Sequence, residues 1–269
     1  MSSWLITAAE LAERIQQPNI VVVDCRFSLA DTEEGERLYR QGHIEGAYYL
    51  HLDHHLSGNK ARHGGRHPLP EVAVFAATLE QIGISNNTLV VAYDNHRFAF
   101  ASRLWWLLRY VGHSQVKVLD GGFNTWCEQG LPVTKETPTA VEKSVFTPQV
   151  DHSMTVDIDQ VKTIADKHHA ALIDSRERER YLGEQEPIDP VAGHIAGADN
   201  FPWSEVTDKT GCYAANQQQR WGSTVDKDEL VVYCGSGVTA CVNLLSLAEL
   251  GREDAKLYPG SWSDWCSYL

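Results

Sequence analysis

The residues most suggestive of chemistry lie in the segment Cys234-Gly235-Ser236-Gly237-Val238-Thr239-Ala240-Cys241, which follows an apolar run at residues 230–233. The run predicts a buried strand, and the apolar spacing after the segment predicts a helix. A thiol between the two lies among unpaired backbone N–H groups at the positive end of a helix dipole. Both features favour the thiolate, the nucleophilic form of cysteine. The sequence therefore predicts that Cys234 is a catalytic nucleophile. The residues expected to stabilise its charge through backbone N–H groups are Gly235, Ser236, Gly237, Val238 and Thr239.

The elements that must position this loop occur twice, because four short segments of the first half recur in the same order in the second. The third of them is one residue shorter in its second copy. Such internal similarity predicts a duplicated domain, with an N-terminal domain at 1–135, a linker at 136–153 and a catalytic C-terminal domain at 154–269. The matching segments are 21–26 and 171–176, 42–47 and 193–198, 89–94 and 230–234, and 119–126 and 258–265.

Each copy alternates short β-branched runs with helical patterns, which indicates an α/β fold with a mainly parallel sheet flanked by helices. Sites in such sheets lie at the carboxyl ends of strands, which is where Cys234 is placed. After it, apolar residues recur at three- and four-residue spacing, so we expect a helix with one buried face. Those residues are Val238, Cys241, Leu244, Leu245 and Ala248.

Composition narrows the classes of function. The 269 residues carry a formal net charge of −13, which argues against nucleic acid or an anionic membrane as partner, since both bind basic surfaces. No apolar run approaches the length of a transmembrane helix, and the N-terminus shows no secretory signal. Six cysteines are scattered singly, a pattern typical of reduced thiols rather than of a disulfide framework. A cytoplasmic location is expected.

Four features together resemble those of the two-domain rhodanese-like sulfurtransferases: the doubled Asp-x-Arg, the doubled Gly-His-Ile-x-Gly-Ala, the cysteine loop and the glycine-aromatic ending. The resemblance covers essentially the whole chain. It implies two rhodanese-like domains, of which only the C-terminal one is active. It also implies that the cysteine takes a sulfur atom from a donor, forms a persulfide and passes the outer sulfur to an acceptor. The first copy has Asp94 at the position of Cys234, and a carboxylate cannot carry a persulfide. We therefore expect an inactive first domain that shapes the cleft.

The cysteine loop is similar to that of 3-mercaptopyruvate sulfurtransferases, which implies 3-mercaptopyruvate as the sulfur donor. Thiosulfate-preferring relatives tend to carry basic residues after the cysteine, and a basic loop helps a compact dianion to reach the sulfur. A thiosulfate:cyanide sulfurtransferase stays an alternative, as does a carrier that only accepts persulfide from a partner protein. The acceptor is expected to be a thiol, thioredoxin or cyanide, and no cofactor or metal is expected.

The same resemblance implies a proton relay, in which Ser236 joins His67 and Asp53 of the first domain. The simpler interpretation makes His67 a loop histidine and Asp53 a turn or cap residue. Arg180 matches the arginine that holds the donor's carboxylate, a role suited to its planar fork of N–H donors. The alternating charges around Arg180 are also typical of a solvated surface.

A second donor-binding arginine, which the animal mercaptopyruvate enzymes carry slightly downstream, is missing here. That segment, residues 183–190, is short and acidic. Arg62 and Arg66 are the candidate replacements.

Other candidates have simpler interpretations. Cys241 falls on the apolar face of the predicted helix and is expected to be a buried structural thiol. His43 and His194 occupy the repeated turn of both copies, which indicates a role in turn geometry. The position six residues after the reactive cysteine, where a cysteine phosphatase needs an arginine, holds Ala240. The histidines and the carboxylate at 51–55 lack the order of a metal-binding motif.

Overall fold

Buried β-branched residues build a five-stranded parallel sheet in the first half of the chain. The structure is a computed structural model that describes residues 3–138, 144–164 and 169–269. In chain order, the elements of this half are β1 (Leu5–Ile6), α1 (Ala8–Arg14), β2 (Ile20–Asp24), α2 (Glu34–Gln41), β3 (His43–Ile44), β4 (Tyr48–Tyr49), α3 (Leu52–His55), α4 (Val72–Gln81), β5 (Leu89–Tyr93), α5 (Ala101–Tyr110), β6 (Val116–Leu119), α6 (Gly122–Glu128) and β7 (Val133–Thr134). The strand order is β1-β6-β5-β2-β4, and β3 and β7 form a separate antiparallel pair.

A four-stranded parallel sheet with the order β11-β10-β8-β9 forms the second half. Its elements are α7 (Ile158–Ile164), β8 (Ala170–Asp174), α8 (Arg178–Leu182), β9 (Ala198–Asn200), α9 (Gln217–Trp221), β10 (Glu229–Tyr233), α10 (Ala240–Glu249), β11 (Lys256–Leu257) and α11 (Ser261–Cys266). Three 3₁₀ turns lie at His152–Met154, Trp203–Val206 and Gly222–Asp226. The prediction of two mainly parallel α/β sheets is confirmed.

The two central strands have equal lengths. β5 pairs with β2 over five residues from Leu89, and β10 pairs with β8 over five residues from Glu229. The expectation that the second copy lacks one strand residue is therefore wrong. The first residue of β10 is Glu229, whereas the first residue of β5 is Leu89. Because these two residues differ in polarity, the sequences alone did not show that the strands begin at equivalent positions.

The repeated Asp-x-Arg motif is structural. Arg26 pairs with Asp24, and Arg176 pairs with Asp174, each through Nη2 and Oδ2 at 2.6 Å. In each copy the same nitrogen also donates to the carbonyl of the glycine that begins the Gly-His-Ile turn. The motif thus fixes that turn to the end of a central strand, which accounts for its presence in both halves.

The two halves meet where α5 packs against α10. Every residue of α10 from 240 to 248 is buried, and so is every residue of α5 from 101 to 108. The expectation of one buried face for α10 is therefore wrong, because the face away from its own sheet is covered by the other domain. This packing places the loop before α10 at the boundary between the domains.

The described part of the expected linker runs along the first half. The Ser144 hydroxyl donates to the carbonyl of Ile84 at 2.6 Å, and the amide of Gln149 donates to the carbonyl of Val111 at 2.8 Å. Residues 139–143 of that linker lie outside the described residues. Among the helices of the described ranges, none combines the length and the apolar character needed to cross a membrane.

Candidate active site

The cysteine loop, residues 234–239, is held from behind by the start of α11. The amide of Cys234 donates to Ser261 Oγ at 3.1 Å, and its carbonyl accepts from the amide of Trp262 at 3.0 Å. Gly237 has a φ of +76°, and a Cβ there would lie 2.4 Å from the carbonyl oxygen of Pro259. Only glycine fits this turn. Cys234 is 2% exposed, and the loop lines a cleft between the domains.

The matching loop of the first domain already surrounds an anion. Both oxygens of the Asp94 carboxylate accept backbone hydrogen bonds of 2.7 to 3.2 Å. The donors are the amides of His96, Phe98, Phe100 and Ala101. In the cysteine loop, the amides of 235–239 have no acceptor among the described residues. The first domain therefore demonstrates that this type of loop gathers N–H groups around a negative charge, as a nest of amides does.

Ser236, His67 and Asp53 are brought together across the domain boundary. His67 Nδ1 lies 2.7 Å from Ser236 Oγ, and His67 Nε2 lies 3.2 Å from Asp53 Oδ1. Burial lowers the pKa of His67 to about 4; Asp53 opposes this effect, whereas Arg103 and Arg66 reinforce it. The imidazole is therefore neutral at pH 7. With its proton on Nε2, facing the carboxylate, Nδ1 is free to accept the hydroxyl proton of Ser236.

The segment that carries His67 is seated on the second domain. The amide of Arg66 donates to Ser263 Oγ at 3.0 Å. Gly65 has a φ of +80°, and a Cβ there would lie 2.4 Å from the carbonyl oxygen of Gly260. A larger residue would lift the segment off α11 and move His67 away from the serine.

Two arginines lie over the backbone beside Cys234. A Cβ on Gly235 would lie 3.0 Å from Arg66 Nη2 and 3.5 Å from Arg180 Nη1. The glycine lets both guanidinium groups approach the loop closely. Arg62, the other candidate for the second arginine, is exposed and is not among the described residues that line the cleft. Of the two candidates for the second arginine, Arg66 is therefore the one that lies beside Arg180.

Both arginines are held by carboxylates that the sequence analysis did not single out. Arg180 Nη2 lies 2.7 Å from Glu186 Oε1 and 3.0 Å from Asp189 Oδ2, and Arg66 Nη1 pairs with the other oxygen of Asp189. Burial raises the pKa of Asp189, although Arg66 and Arg180 act against the shift. The acidic segment 183–190 therefore folds onto the site. Its acidity, in place of the expected arginine, was the available signal.

The cleft has a volume of about 460 Å³, which suits a small molecule. Its polar side is formed by the cysteine loop and the arginines. Its apolar side is formed by Phe27, Leu29, Ala30, Leu38, Ala99, Phe100, Ile188 and Trp203.

Two further candidates are placed by their contacts. Cys241 Sγ lies 3.5 Å from the carbonyl oxygen of Gly237, and burial raises the pKa of this thiol to about 12. Glu33, His51 and His54 bring ligand-type atoms close together. His51 Nδ1 accepts the amide of Asp53, however, and its Nε2 lies 3.0 Å from the carbonyl of Thr32. Both ring nitrogens are thus engaged, so the trio does not offer a ready metal site.

Comparison with known proteins finds two regions of this chain that match the same family. Residues 7–129 and 157–268 each match the rhodanese-like domain family. The chain is 41% identical over 272 residues to a probable 3-mercaptopyruvate sulfurtransferase of Pseudomonas aeruginosa, which covers 98% of this chain and 95% of that protein. It is 38% identical over 276 residues to SseB of Mycobacterium tuberculosis, a putative thiosulfate sulfurtransferase, covering 98% and 94%. The structure of SseA, a 3-mercaptopyruvate sulfotransferase of Escherichia coli, matches with a TM-score of 0.85 at 30% identity, over 97% of this chain and 100% of that one.

Proposed function

Since this chain belongs to the rhodanese-like family of sulfurtransferases, we propose that it moves sulfur from 3-mercaptopyruvate to an acceptor through a persulfide on Cys234. Several relatives that match it over nearly its whole length are named as sulfurtransferases for 3-mercaptopyruvate or thiosulfate. Cys234 is the proposed nucleophile. Ser236, His67 and Asp53 form the proton relay. Arg180 and Arg66 bind the carboxylate of the donor. The amides of Gly235, Gly237, Val238 and Thr239 stabilise the sulfur's charge.

The observation that carries the choice of donor is the 2.7 Å contact between His67 Nδ1 and Ser236 Oγ. 3-Mercaptopyruvate bears a thiol, whose proton must be removed when its sulfur is transferred. Thiosulfate carries no such proton at neutral pH. A neutral imidazole beside a serine hydroxyl, next to the nucleophile, supplies a proton acceptor that only the first donor needs.

In the first half-reaction, the relay carries the proton of the donor thiol. The Cys234 thiolate attacks the donor sulfur, an S–S bond forms, and the donor's C–S bond breaks with its electron pair moving to carbon as pyruvate enolate. The thiol proton passes through the Ser236 hydroxyl to His67 and then returns to the enolate carbon, so that pyruvate leaves. Asp53 orients the imidazole and stabilises its transient positive charge.

The second half-reaction returns the enzyme to its starting state. An acceptor thiolate or cyanide attacks the outer sulfur, the S–S bond breaks, and its electron pair remains on Cys234. All six cysteines are free thiols, which supports a reducing compartment such as the cytoplasm. A small thiol, thioredoxin or cyanide fits this step, and the net charge of −13 supports neither nucleic acid nor an anionic membrane as partner.

Thiosulfate is the second candidate donor, favoured by the two guanidinium groups over Gly235. The cysteine loop itself has no cationic side chain. Asp189 already pairs with both Arg66 and Arg180, so little positive charge remains to balance the second negative charge of thiosulfate, which mercaptopyruvate lacks. The arginines therefore give only weak support to thiosulfate as the donor. The proton relay gives stronger support to mercaptopyruvate.

The donor is tested by comparing kcat/KM for the two compounds with cyanide as the common acceptor. We expect mercaptopyruvate to be preferred by about tenfold or more, a difference that one well-placed polar group can supply. A higher efficiency with thiosulfate would reverse the assignment of the donor. Persulfide formation from neither compound, but from a persulfidated partner protein, would indicate a sulfur carrier instead.

Removal of the Arg180 guanidinium should weaken donor binding. In Arg180→Ala, we expect KM for mercaptopyruvate to rise by about 10- to 100-fold with a smaller change in kcat, because a charge-assisted hydrogen bond to the donor's carboxylate is lost. Steady-state kinetics measure both constants. Arg178→Ala is the matched control, since Arg178 is exposed on the same helix. An unchanged KM in Arg180→Ala would remove this residue from the donor site.

A further inference from the structure

An arginine of the first domain is completely buried at the domain boundary. Arg103 lies on α5 and is 0% exposed. A guanidinium stays charged at every physiological pH, and a buried charge is costly unless partners compensate for it. The contacts of Arg103 show why it is tolerated there.

The guanidinium of Arg103 joins the two loops that carry the proposed reaction. Nη1 donates to the carbonyl of Gly237 in the cysteine loop at 2.9 Å, and Nη2 donates to the carbonyl of His67 at 3.2 Å. Further bonds from Nη2, of 3.3 and 3.4 Å, reach the carbonyls of Leu56 and Pro68. A rigid fork between these carbonyls fixes the distance from the relay histidine to the cysteine loop.

Carbonyl groups satisfy the N–H groups of Arg103 but leave its charge without a counter-ion. Two other buried arginines, Arg26 and Arg176, each have a carboxylate partner at 2.6 Å, whereas Arg103 has none among the described residues. Burial lowers the pKa of the Arg103 guanidinium, and the groups whose negative charge would oppose this shift are Cys241 and Cys234.

Only one of those two thiols can provide the charge. With its pKa raised to about 12, Cys241 remains protonated. Cys234 carries a negative charge in both states of the proposed cycle, on its own sulfur before transfer and on the outer sulfur afterwards. A cation fixed behind the loop stabilises both states without rearrangement.

On the cleft side, the described residues offer Cys234 no cation that lacks a carboxylate partner. The arginines lining it are each paired with a carboxylate within the described residues, and they are Arg66, Arg176 and Arg180. The other titratable side chains among the described residues that line the cleft are Glu34, His96 and Glu177. Arg103 itself is not among the described residues that line the cleft, so it acts from behind the loop.

We propose that Arg103 is a positioning residue for sulfur transfer, which fixes the cysteine loop against the His67 segment and supplies the buried positive charge that keeps Cys234 ionised. This inference rests on the proposed function, because it assumes a reactive thiolate. It means that sulfur transfer on Cys234 also depends on a residue of the N-terminal domain, although that residue does not touch the donor.

The test compares Arg103→Lys, which keeps the charge, with Arg103→Gln, which keeps N–H donors but is neutral. Alkylation of Cys234 by iodoacetamide at neutral pH, measured on its peptide by mass spectrometry, reports the ionised fraction without any need for turnover. We expect Arg103→Gln to slow alkylation about tenfold or more. Arg103→Lys should stay within about threefold of wild type, as expected for retained charge. Both variants should lower kcat for mercaptopyruvate with little change in KM, since both lose the fork and neither alters the cleft.

Arg97→Gln is the matched control. Arg97 also crosses the boundary, where its Nε donates to Thr207 Oγ1 at 2.7 Å, but it does not bond to the cysteine loop. Its substitution should change neither alkylation nor kcat. If Arg103→Gln does not fold, Arg103→Lys is compared with Arg97→Lys, and only the former should lose kcat.

The proposal is overturned if Arg103→Gln alkylates at the wild-type rate, or if Arg103→Lys is slowed as much as Arg103→Gln. An equal loss of kcat in the Arg97 variants would also overturn it. Failure of the proposed function is distinguishable, because wild-type protein would then form no persulfide with either donor.

Discussion

A Cys234→Ser variant will lose sulfur transfer from both mercaptopyruvate and thiosulfate, with turnover falling by about 10³-fold or more. A serine hydroxyl stays protonated at neutral pH and forms no persulfide, so neither half-reaction has a route. The fold should survive, because the backbone of this residue is held by Ser261 and Trp262 irrespective of the side chain. Thiocyanate formation from cyanide measures the loss with either donor.

Cys241→Ser is the matched control for that variant. It replaces a buried thiol in the first turn of α10, directly after the cysteine loop, and its turnover should stay within about threefold of wild type. Retained turnover in Cys234→Ser, or an equal loss in Cys241→Ser, contradicts the assignment of the nucleophile.

The second large effect is expected from His67→Gln. Loss of the proton acceptor should reduce kcat/KM for mercaptopyruvate by about 10²- to 10³-fold, the usual contribution of a positioned general base. Thiosulfate needs no deprotonation, so its kcat/KM should fall by less than about tenfold. His63→Gln is the control, since His63 lies in the same segment and contacts Ser267 instead of the relay. Equal losses with the two donors would show that His67 supports the loop and does not handle protons.

The pH dependence of kcat/KM should also report on His67. His67 accepts a proton only when neutral, and burial holds its pKa at about 4, below the usual 6.5. The neutral form therefore persists as pH falls through 6.5 and is lost only near pH 4. We expect the part of the acid limb of kcat/KM that appears with mercaptopyruvate but not with thiosulfate to follow this value in wild type and to disappear in His67→Gln. If that donor-specific limb lay near 6.5 instead, His67 would be a solvated histidine.

Repeated landmarks were sufficient to predict the fold. Asp24 and Arg26, with Asp174 and Arg176, marked the ends of equivalent strands, and the structure shows the same ion pair in both halves. The burial of α10 on all sides was not predictable from its own apolar spacing. That burial depends on α5, whose position relative to α10 is set by the packing of two domains rather than by local sequence.

Residues of the candidate site were predictable in two cases only. Either the residue type and its position indicated the chemistry, or the family resemblance identified the residue. Cys234 could be found from its place between strand and helix, whereas the grouping of Ser236 with His67 relied on the resemblance, because these residues are 169 positions apart. Asp189 was overlooked because the acidity of its segment does not reveal which arginines its carboxylates will hold. Arg103 had one faint signal, a charge within an apolar helix, but its meaning depends on contacts with Gly237 in the other domain.

The central claim is that Cys234 receives the donor's sulfur, and one measurement addresses it directly. Wild-type protein is mixed with one equivalent of mercaptopyruvate, digested without reductant and mapped by mass spectrometry, while released pyruvate is counted. We predict one added sulfur atom on the peptide that contains Cys234, matched by one pyruvate per chain. Pyruvate release without that added sulfur, or the sulfur on any of the other five cysteines, would contradict the account.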